Sequence, residues 1–360
     1  MQDVSPAEST DLALLPSDPH EVLPGVWRIP LPVPFGVHAM NAYLLRGDGR
    51  GGGTDVGWCL VDAPLGTRRA EDALLAGLRA AGAAPSDIRA IVLTHGHPDH
   101  VGAVGRWQRQ TGATVYLLGL ESQLITRLWD DPANAAMLGA ARDLMRHGMP
   151  AEEAQRLATQ AAQLRGAIAA PERPTVLAHR QHIHLAGGRY QVFWTPGHAD
   201  GHLCLLRDDG VFLAGDHVLP GIAPTVGWYP WSRPDPLADH QQSLRVVASL
   251  PVTLVLPGHG EPFANLSGRA DELLGIHARR TVELARELAA RPDGASAYVL
   301  AERMFPTRWH AWPESRRLAV AETVAYLEHL RLLDRAERVV APDDTITYRR
   351  AAEDSSRATA

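Results

Sequence analysis

Thr94-His95-Gly96-His97-Pro98-Asp99-His100 follows directly on the apolar run Ile91-Val92-Leu93, so a buried strand is expected to end in a turn that carries three imidazoles and a carboxylate. Core packing has no use for four such groups in six residues. Neutral imidazole and carboxylate are donors suited to zinc, and also to iron or manganese. His95 and His97 alternate, which lets both face one ion. Asp99 and His100 open the following helix and can face a second.

Three further segments have the same form, a strand end, a glycine and then a ligand-type residue. They are Thr195-Pro196-Gly197-His198, Ala214-Gly215-Asp216-His217 and Pro257-Gly258-His259-Gly260. Glycine permits the sharp exit from a strand that brings backbone and side chain close to an ion. One such segment alone would be weak, but four in order, each after an apolar strand, point together to a metal centre.

The set resembles the metallo-β-lactamase superfamily, with its His-X-His-X-Asp-His motif followed by later His, Asp and His ligands, over roughly Val22 to Ala270. The resemblance implies an α+β fold, a four-layered αββα sandwich with the metals at one edge between two sheets. It implies that His95, His97 and His198 hold one metal, that Asp99, His100 and His259 hold the other, and that Asp216 bridges them. Asp99 and Asp216 become the catalytic carboxylates. Asp62, at the end of the early strand Trp58 to Asp62, matches the carboxylate that supports the metal-binding loop, and His217 is a candidate to orient a ligand or simply to pack in the core. The implied cofactors are two divalent ions, zinc first, with iron or manganese as alternatives. The complete ligand set, with Asp rather than Cys at 216, is similar to the glyoxalase II, lactonase and lactamase-β-2-like branches. A histidine at 97, where the flavodiiron branch has Glu, disfavours that redox chemistry. The reaction implied is hydrolysis of an electrophilic centre by a water activated between the ions.

Outward from these motifs, a helix is expected over Thr67–Ala81, with Ala70, Leu74, Leu75, Leu78 and Ala81 on one face, and another over Val101–Thr111. Residues 121–170 have almost no strand pattern and much helical spacing, so they are expected to form a helical insert. If it is an excursion from the sandwich, deleting it should spare metal binding and change only selectivity. The hydrolase domain is expected over 21–272, between a disordered leader (1–20) and a helical, winged-helix-like C-terminal domain (273–350) with a disordered tail (351–360). The chain has 360 residues, a net charge of −6, 17 histidines and two cysteines. Cys59 and Cys204 lie in apolar strand contexts and are expected as buried thiols, which suits the reducing cytoplasm. No apolar run is long enough to span a membrane.

Three elements could line the mouth of the site. They are the hairpin turn with Phe35 and His38, the insert with Trp129, Met137, Leu144, Met145 and Met149, and the loop after Asp216 with Ile222, Trp228, Tyr229 and Trp231. Apolar walls favour a small ester-like substrate, a thioester or lactone. Two alternatives stand beside it, a single-stranded RNA phosphodiesterase and an iron-dependent persulfide dioxygenase. Arginines and acids are roughly balanced over 273–350, where a nucleic-acid surface needs a basic excess. The expected partner is therefore a small molecule, with neither membrane nor nucleic acid. The C-terminal helices pack on the hydrolase or make a homodimer.

Overall fold

The computed structural model describes residues 18–35, 37–47, 57–131, 133–311 and 313–352. In chain order the strands are β1 (His20–Leu23), β2 (Val26–Phe35), β3 (Val37–Arg46), β4 (Trp58–Val61), β5 (Ile88–Val92), β6 (Thr114–Leu118), β7 (Thr175–Leu177), β8 (His182–Leu185), β9 (Gly188–Trp194), β10 (Leu203–Arg207), β11 (Val211–Gly215), β12 (Leu254–Pro257), β13 (Ala336–Val340) and β14 (Ile346–Arg350). The helices are α1 (Arg68–Ala80), α2 (Pro98–Val101), α3 (Val104–Thr111), α4 (Gly119–Ile125), α5 (Ala135–Arg146), α6 (Ala151–Arg165), α7 (Pro236–Ala248), α8 (Leu266–Ala289), α9 (Ala297–Met304), α10 (Pro306–Ala311) and α11 (Pro313–Leu332).

Strands β1 to β7 form one sheet in sequence order, and β12-β11-β10-β9-β8 form the second. Three apolar layers make the four-layer stack. Between the sheets lie Val26, Tyr43, Leu45, Val61 and Val92 from the first, against Val192, Leu203, Leu205, Leu213 and Leu256 from the second. Outside the first sheet, Leu74, Leu78, Val104 and Trp107 of α1 and α3 cover Ile29, Leu44, Leu60 and Ile91. Outside the second, α7 and α8 bury Leu244, Val247, Ala270 and Leu273 on Cys204, Phe212 and Val255. Alternating strand residues thus face two different cores, which is why β4 and β11 are apolar on both faces. Both cysteines are buried, Cys59 between the sheets and Cys204 under the outer helices.

Helix α1 forms where expected, capped by the Thr67 hydroxyl, with Ala70, Leu74 and Leu78 buried. The helix expected over 101–111 is broken. Gly102 takes φ +40°, and a Cβ there would stand 2.1 Å from the Pro64 carbonyl oxygen, so the chain kinks between α2 and α3.

A fourth core joins the insert to the C-terminal helices: Leu144, Met149 and Ala154 pack with Leu237, Leu284, Leu300, Val320 and Tyr348. The boundary expected between 272 and 273 falls inside α8. Leu273 of that helix packs on the second sheet, and Leu284 and Leu288 pack in the C-terminal core, so one continuous helix serves both. Of the expected leader, residues 1–17 lie outside the described residues, and its last residue, His20, opens β1. Of the expected tail, 353–360 likewise lie outside them. No helix among the described residues is long and apolar enough to cross a membrane.

Candidate metal centre

Strands β4, β5, β9, β11 and β12 all deliver their C-terminal ends to one edge of the sandwich, and every expected ligand sits on the loop or short helix that follows β5, β9, β11 or β12. His95 and His97 follow β5, and Asp99 and His100 lie in α2. His198 follows β9, Asp216 β11 and His259 β12. The structure brings these seven together as three overlapping groups, His95–His97–His198, His95–His100–Asp216 and Asp99–His100–His259, each with its donor atoms within 4.8 Å of one another.

The distances show the convergence. His95 Nε2 lies 2.9 Å from His97 Nδ1. Asp216 reaches His100 Nε2 at 3.4 Å, His198 Nε2 at 3.5 Å and His259 Nε2 at 3.4 Å. Asp99 Oδ2 lies 3.3 Å from His259 Nε2. His100 Nε2, His198 Nε2 and Asp216 Oδ1 are buried and have no hydrogen-bond partner within the protein. Buried polar atoms without partners are costly, so three of them aimed at one region fit a cation there.

Four of the five imidazoles are turned by their other nitrogen. His198 Nδ1 donates to the Thr225 carbonyl at 2.8 Å, and His259 Nδ1 to the Ala39 carbonyl at 2.8 Å. His100 Nδ1 donates to Asp62 Oδ2 at 2.8 Å. His95 Nδ1 meets Thr94 Oγ1 at 3.0 Å. Asp62 also accepts from the Thr94 amide at 2.8 Å and from its hydroxyl, so this one carboxylate fixes the start of the ligand turn and the His100 ring together. It does so from the left-handed backbone region, φ +61°, which Asp tolerates better than most residues.

The electrostatics divide the ligands into two sets. Burial, reinforced by neighbouring imidazoles, holds His95 well below the ordinary histidine range and brings His97 down to about 3. His198 is lowered too, by burial. These three keep a free lone pair at neutral pH. Burial also lowers His100 and His259, but the Asp216 charge and then the other nearby carboxylates outweigh it, raising His100 well above its usual value and His259 to about 10. Burial raises Asp99, and the His100 charge together with the hydrogen bond and charge of His259 more than offsets this, leaving it at about 2. The second set thus gathers protons where a divalent ion could replace them.

Two residues at the site carry no ligand role and were not singled out by the sequence. His202 Nε2 accepts from the Asp216 amide at 3.1 Å, and its Nδ1 meets Thr195 Oγ1 at 2.9 Å, which holds the backbone of Asp216. Its signal was present: Gly201-His202 repeats Gly197-His198 four residues on, just before β10. Glu121 of α4 accepts from the Gly96 amide at 2.9 Å and from the Gly201 amide at 3.1 Å. Burial raises its carboxyl to about 7. No sequence signal marks it.

Other expectations are displaced. His217 forms no hydrogen bond from its ring to any of the seven ligands. The ring is buried edge-on to His240 at 5.0 Å, in the core-packing role. Trp228 is partly buried against the C-terminal core, with its amide bonded to the Ala321 carbonyl at 2.9 Å. Tyr229 stacks on Trp231 at 5.2 Å, and its hydroxyl accepts from Arg317 at 3.1 Å. The side chain of His38, like that of Phe35, lies outside the described residues. Trp129 supports the ligand turn from below, donating from Nε1 to the Gly96 carbonyl at 3.1 Å. Leu144 and Met149 lie in the C-terminal core rather than at the mouth.

Comparison with known proteins agrees with this geometry. The sequence profile of the metallo-beta-lactamase superfamily matches residues 36–259. A crystal structure of a metallo-beta-lactamase family protein from Thermus thermophilus is 35% identical, superposes with a TM-score of 0.80, and covers 92% of this chain and 100% of that one. A beta-lactamase domain protein from Burkholderia ambifaria, 27% identical, gives a TM-score of 0.79 over 94% of this chain and 97% of that one. The protein named "Probable metallo-hydrolase YqjP" of Bacillus subtilis (strain 168) is 28% identical over 325 residues, 85% of this chain and 92% of its own length.

Proposed function

This chain belongs to the metallo-beta-lactamase superfamily and is a metal-dependent hydrolase, and from that premise we propose that it holds two divalent ions, zinc first, and hydrolyses a small ester-like substrate, a thioester or a lactone. The observation that carries the metal assignment is the convergence of the partnerless atoms His100 Nε2, His198 Nε2 and Asp216 Oδ1. His95, His97 and His198 would hold one ion, Asp99, His100 and His259 the other, with Asp216 placed between the two sets. Such ions, when bound, lower the pKa of a water to near neutrality and polarise the carbonyl it attacks.

The protein's own groups supply order. Asp62, Thr225 and Ala39 fix which nitrogen of His100, His198 and His259 faces the centre. Asp216 is positioned through His202, so its carboxylate stays within 3.4 to 3.5 Å of three imidazoles. The substrate side is supported by the loop 219–236. It is tied to the centre through Thr225, and Tyr229 and Trp231 give it a stacked apolar surface. An apolar wall favours an acyl or lactone ring over a bare phosphate.

The C-terminal helices and their hairpin, which we read as a wing-like appendage, bear on the RNA alternative. Four of their arginines are paired internally: Arg280 and Arg308 hold the buried Glu322 at 2.7 and 2.5 Å, and Arg331 and Arg338 hold Glu328. A surface that spends its cations this way favours packing on the hydrolase over gripping a phosphate backbone. We place the protein in the cytoplasm on its two buried thiols, with a small molecule as its partner and a homodimer as the alternative use of those helices.

Elemental analysis combined with a substrate panel tests the proposal. Two zinc ions per chain and turnover of acyl-CoA thioesters, glutathione thioesters or homoserine lactones are expected. Cleavage of phosphodiesters alone would replace it with the nuclease alternative, and one iron with oxygen consumption on persulfide would replace it with the dioxygenase.

A further inference from the structure

We propose that Glu121 is a positioning residue that clamps together the two turns bearing His95, His97 and His198, and so sets the affinity of the ion those three would hold. The two turns come from different sheets, one after β5 and the other after β9. One backbone bond joins them directly, from the Leu203 amide to the Thr94 carbonyl at 2.9 Å, and the Glu121 side chain bridges them a second time, with Oε1 on the Gly96 amide at 2.9 Å and Oε2 on the Gly201 amide at 3.1 Å. Gly96 stands between His95 and His97. Gly201 lies three residues after His198 and adjoins His202, which holds the Asp216 amide at 3.1 Å. One carboxylate thus reaches both arms of the trio and, through His202, the residue placed between the two ligand sets.

The glycines supply an independent observation. A Cβ on Gly201 would stand 2.6 Å from the Glu121 amide nitrogen and 2.8 Å from its Oε2. A Cβ on Gly96 would stand 2.8 Å from Ile125 Cγ1 and 3.4 Å from Glu121 Oε1. Both turns lack side chains where they close on α4, so the clamp is built from both sides. Trp129 completes it by holding the Gly96 carbonyl while Glu121 holds the Gly96 amide. The insert therefore contains the clamp of the ligand turns, and its deletion would not spare metal binding.

Glu121 is buried, 1% exposed, and touches no ligand side chain through a hydrogen bond. Its effect must pass through backbone position. Partners that orient ligands from outside typically change metal affinity by about 10- to 100-fold.

The inference rests on the two-ion reading, and its test separates the two. Metal-free full-length protein is titrated with zinc against a chromophoric chelator, and with cobalt(II) followed by visible absorption. Two ions on the wild type check the reading itself. Glu121→Gln keeps the volume but presents an amide NH₂ to one of the peptide N–H groups. It should weaken one ion by at least about tenfold and leave the other near its wild-type affinity. Gly201→Ala, which leaves Glu121 in place and pushes the turn off it, should weaken the same ion, and it carries the test if the Gln variant does not fold. Val320→Ala, in the C-terminal core away from both turns, should lower thermal stability without changing either affinity. Wild-type affinities in both clamp variants, or an equal loss in Val320→Ala, would overturn the proposal.

Discussion

Replacing Asp62 with Asn isolates one hydrogen-bonding role without disturbing the backbone. Asp62 stands at φ +61°, a region that Asn occupies as readily as Asp. The wild-type carboxylate accepts from the Thr94 amide and hydroxyl and from His100 Nδ1, all at about 2.8 Å. Asparagine can keep its oxygen on the Thr94 side, which leaves its NH₂ facing His100 Nδ1. Two N–H groups cannot bond each other. In the metal-loaded protein, where His100 carries a single proton, the ring must therefore break the contact or move that proton to Nε2, the atom 3.4 Å from Asp216 and aimed at the centre. The lost charge-assisted bond costs about 1.5–3 kcal/mol of stability. Metal affinity should fall about 10- to 100-fold, equivalent to about 1.4–2.7 kcal/mol. Asp62→Ala should be less stable than the Asn variant by a further ~1–2 kcal/mol, because alanine is strained at positive φ. Chelator competition gives the affinity, thermal unfolding the stability, and long-range proton–nitrogen NMR the His100 tautomer. An Asn variant with wild-type affinity and an unchanged tautomer would refute the role assigned to Asp62.

Asp216→Ala should reduce hydrolysis by on the order of 10³ or more while circular dichroism stays native, because the residue lies at the edge of the sandwich; wild-type turnover would sink the two-metal mechanism. Metal binding should release protons. His100 is raised well above its usual value and His259 to about 10, so both are protonated at pH 6–8 before the ion arrives, and each displaced proton makes affinity fall about tenfold per unit of falling pH; binding in weak buffer with no acidification would contradict this. Deleting about residues 121–170 should destroy metal affinity and expose the C-terminal core, since the cut removes Glu121, Trp129, Leu144 and Met149; a deletion protein that binds ions like the wild type would restore the reading of the insert as an excursion from the sandwich.

The candidate ligands were legible because metal chemistry restricts residue type. Only a few side chains can replace His95 or Asp216 at such a site, and the fold requires them at strand ends, so chemistry and local pattern coincide in the sequence. The layers were legible for a related reason: β4 and β11 are apolar on both faces because each strand serves two cores. The supports of the site obey no such restriction. A peptide N–H can donate to any buried oxygen, and Glu121 reaches one such donor that is 25 residues away and another 80 away. In sequence Glu121 is merely an acid in the first turn of a helix, a position favoured by the helix dipole whatever lies beyond it. His202 was more exposed to inference, because it repeats a glycine–histidine step, but its imidazole accepts a backbone amide rather than facing the centre. Helical spacing in the insert gave its secondary structure and said nothing about which surface it would meet. Trp129 went beneath the ligand turn, while Leu144 and Met149 went into a core shared with α8, α9 and α11. Apolar side chains pack wherever area can be buried, and that choice is made by tertiary contacts. The same indifference explains Trp228, whose ring packs, partly buried, against the C-terminal core. A metal centre is therefore readable by its donors and unreadable by its scaffold, and the residues that decide how tightly this one binds stand largely in the second group.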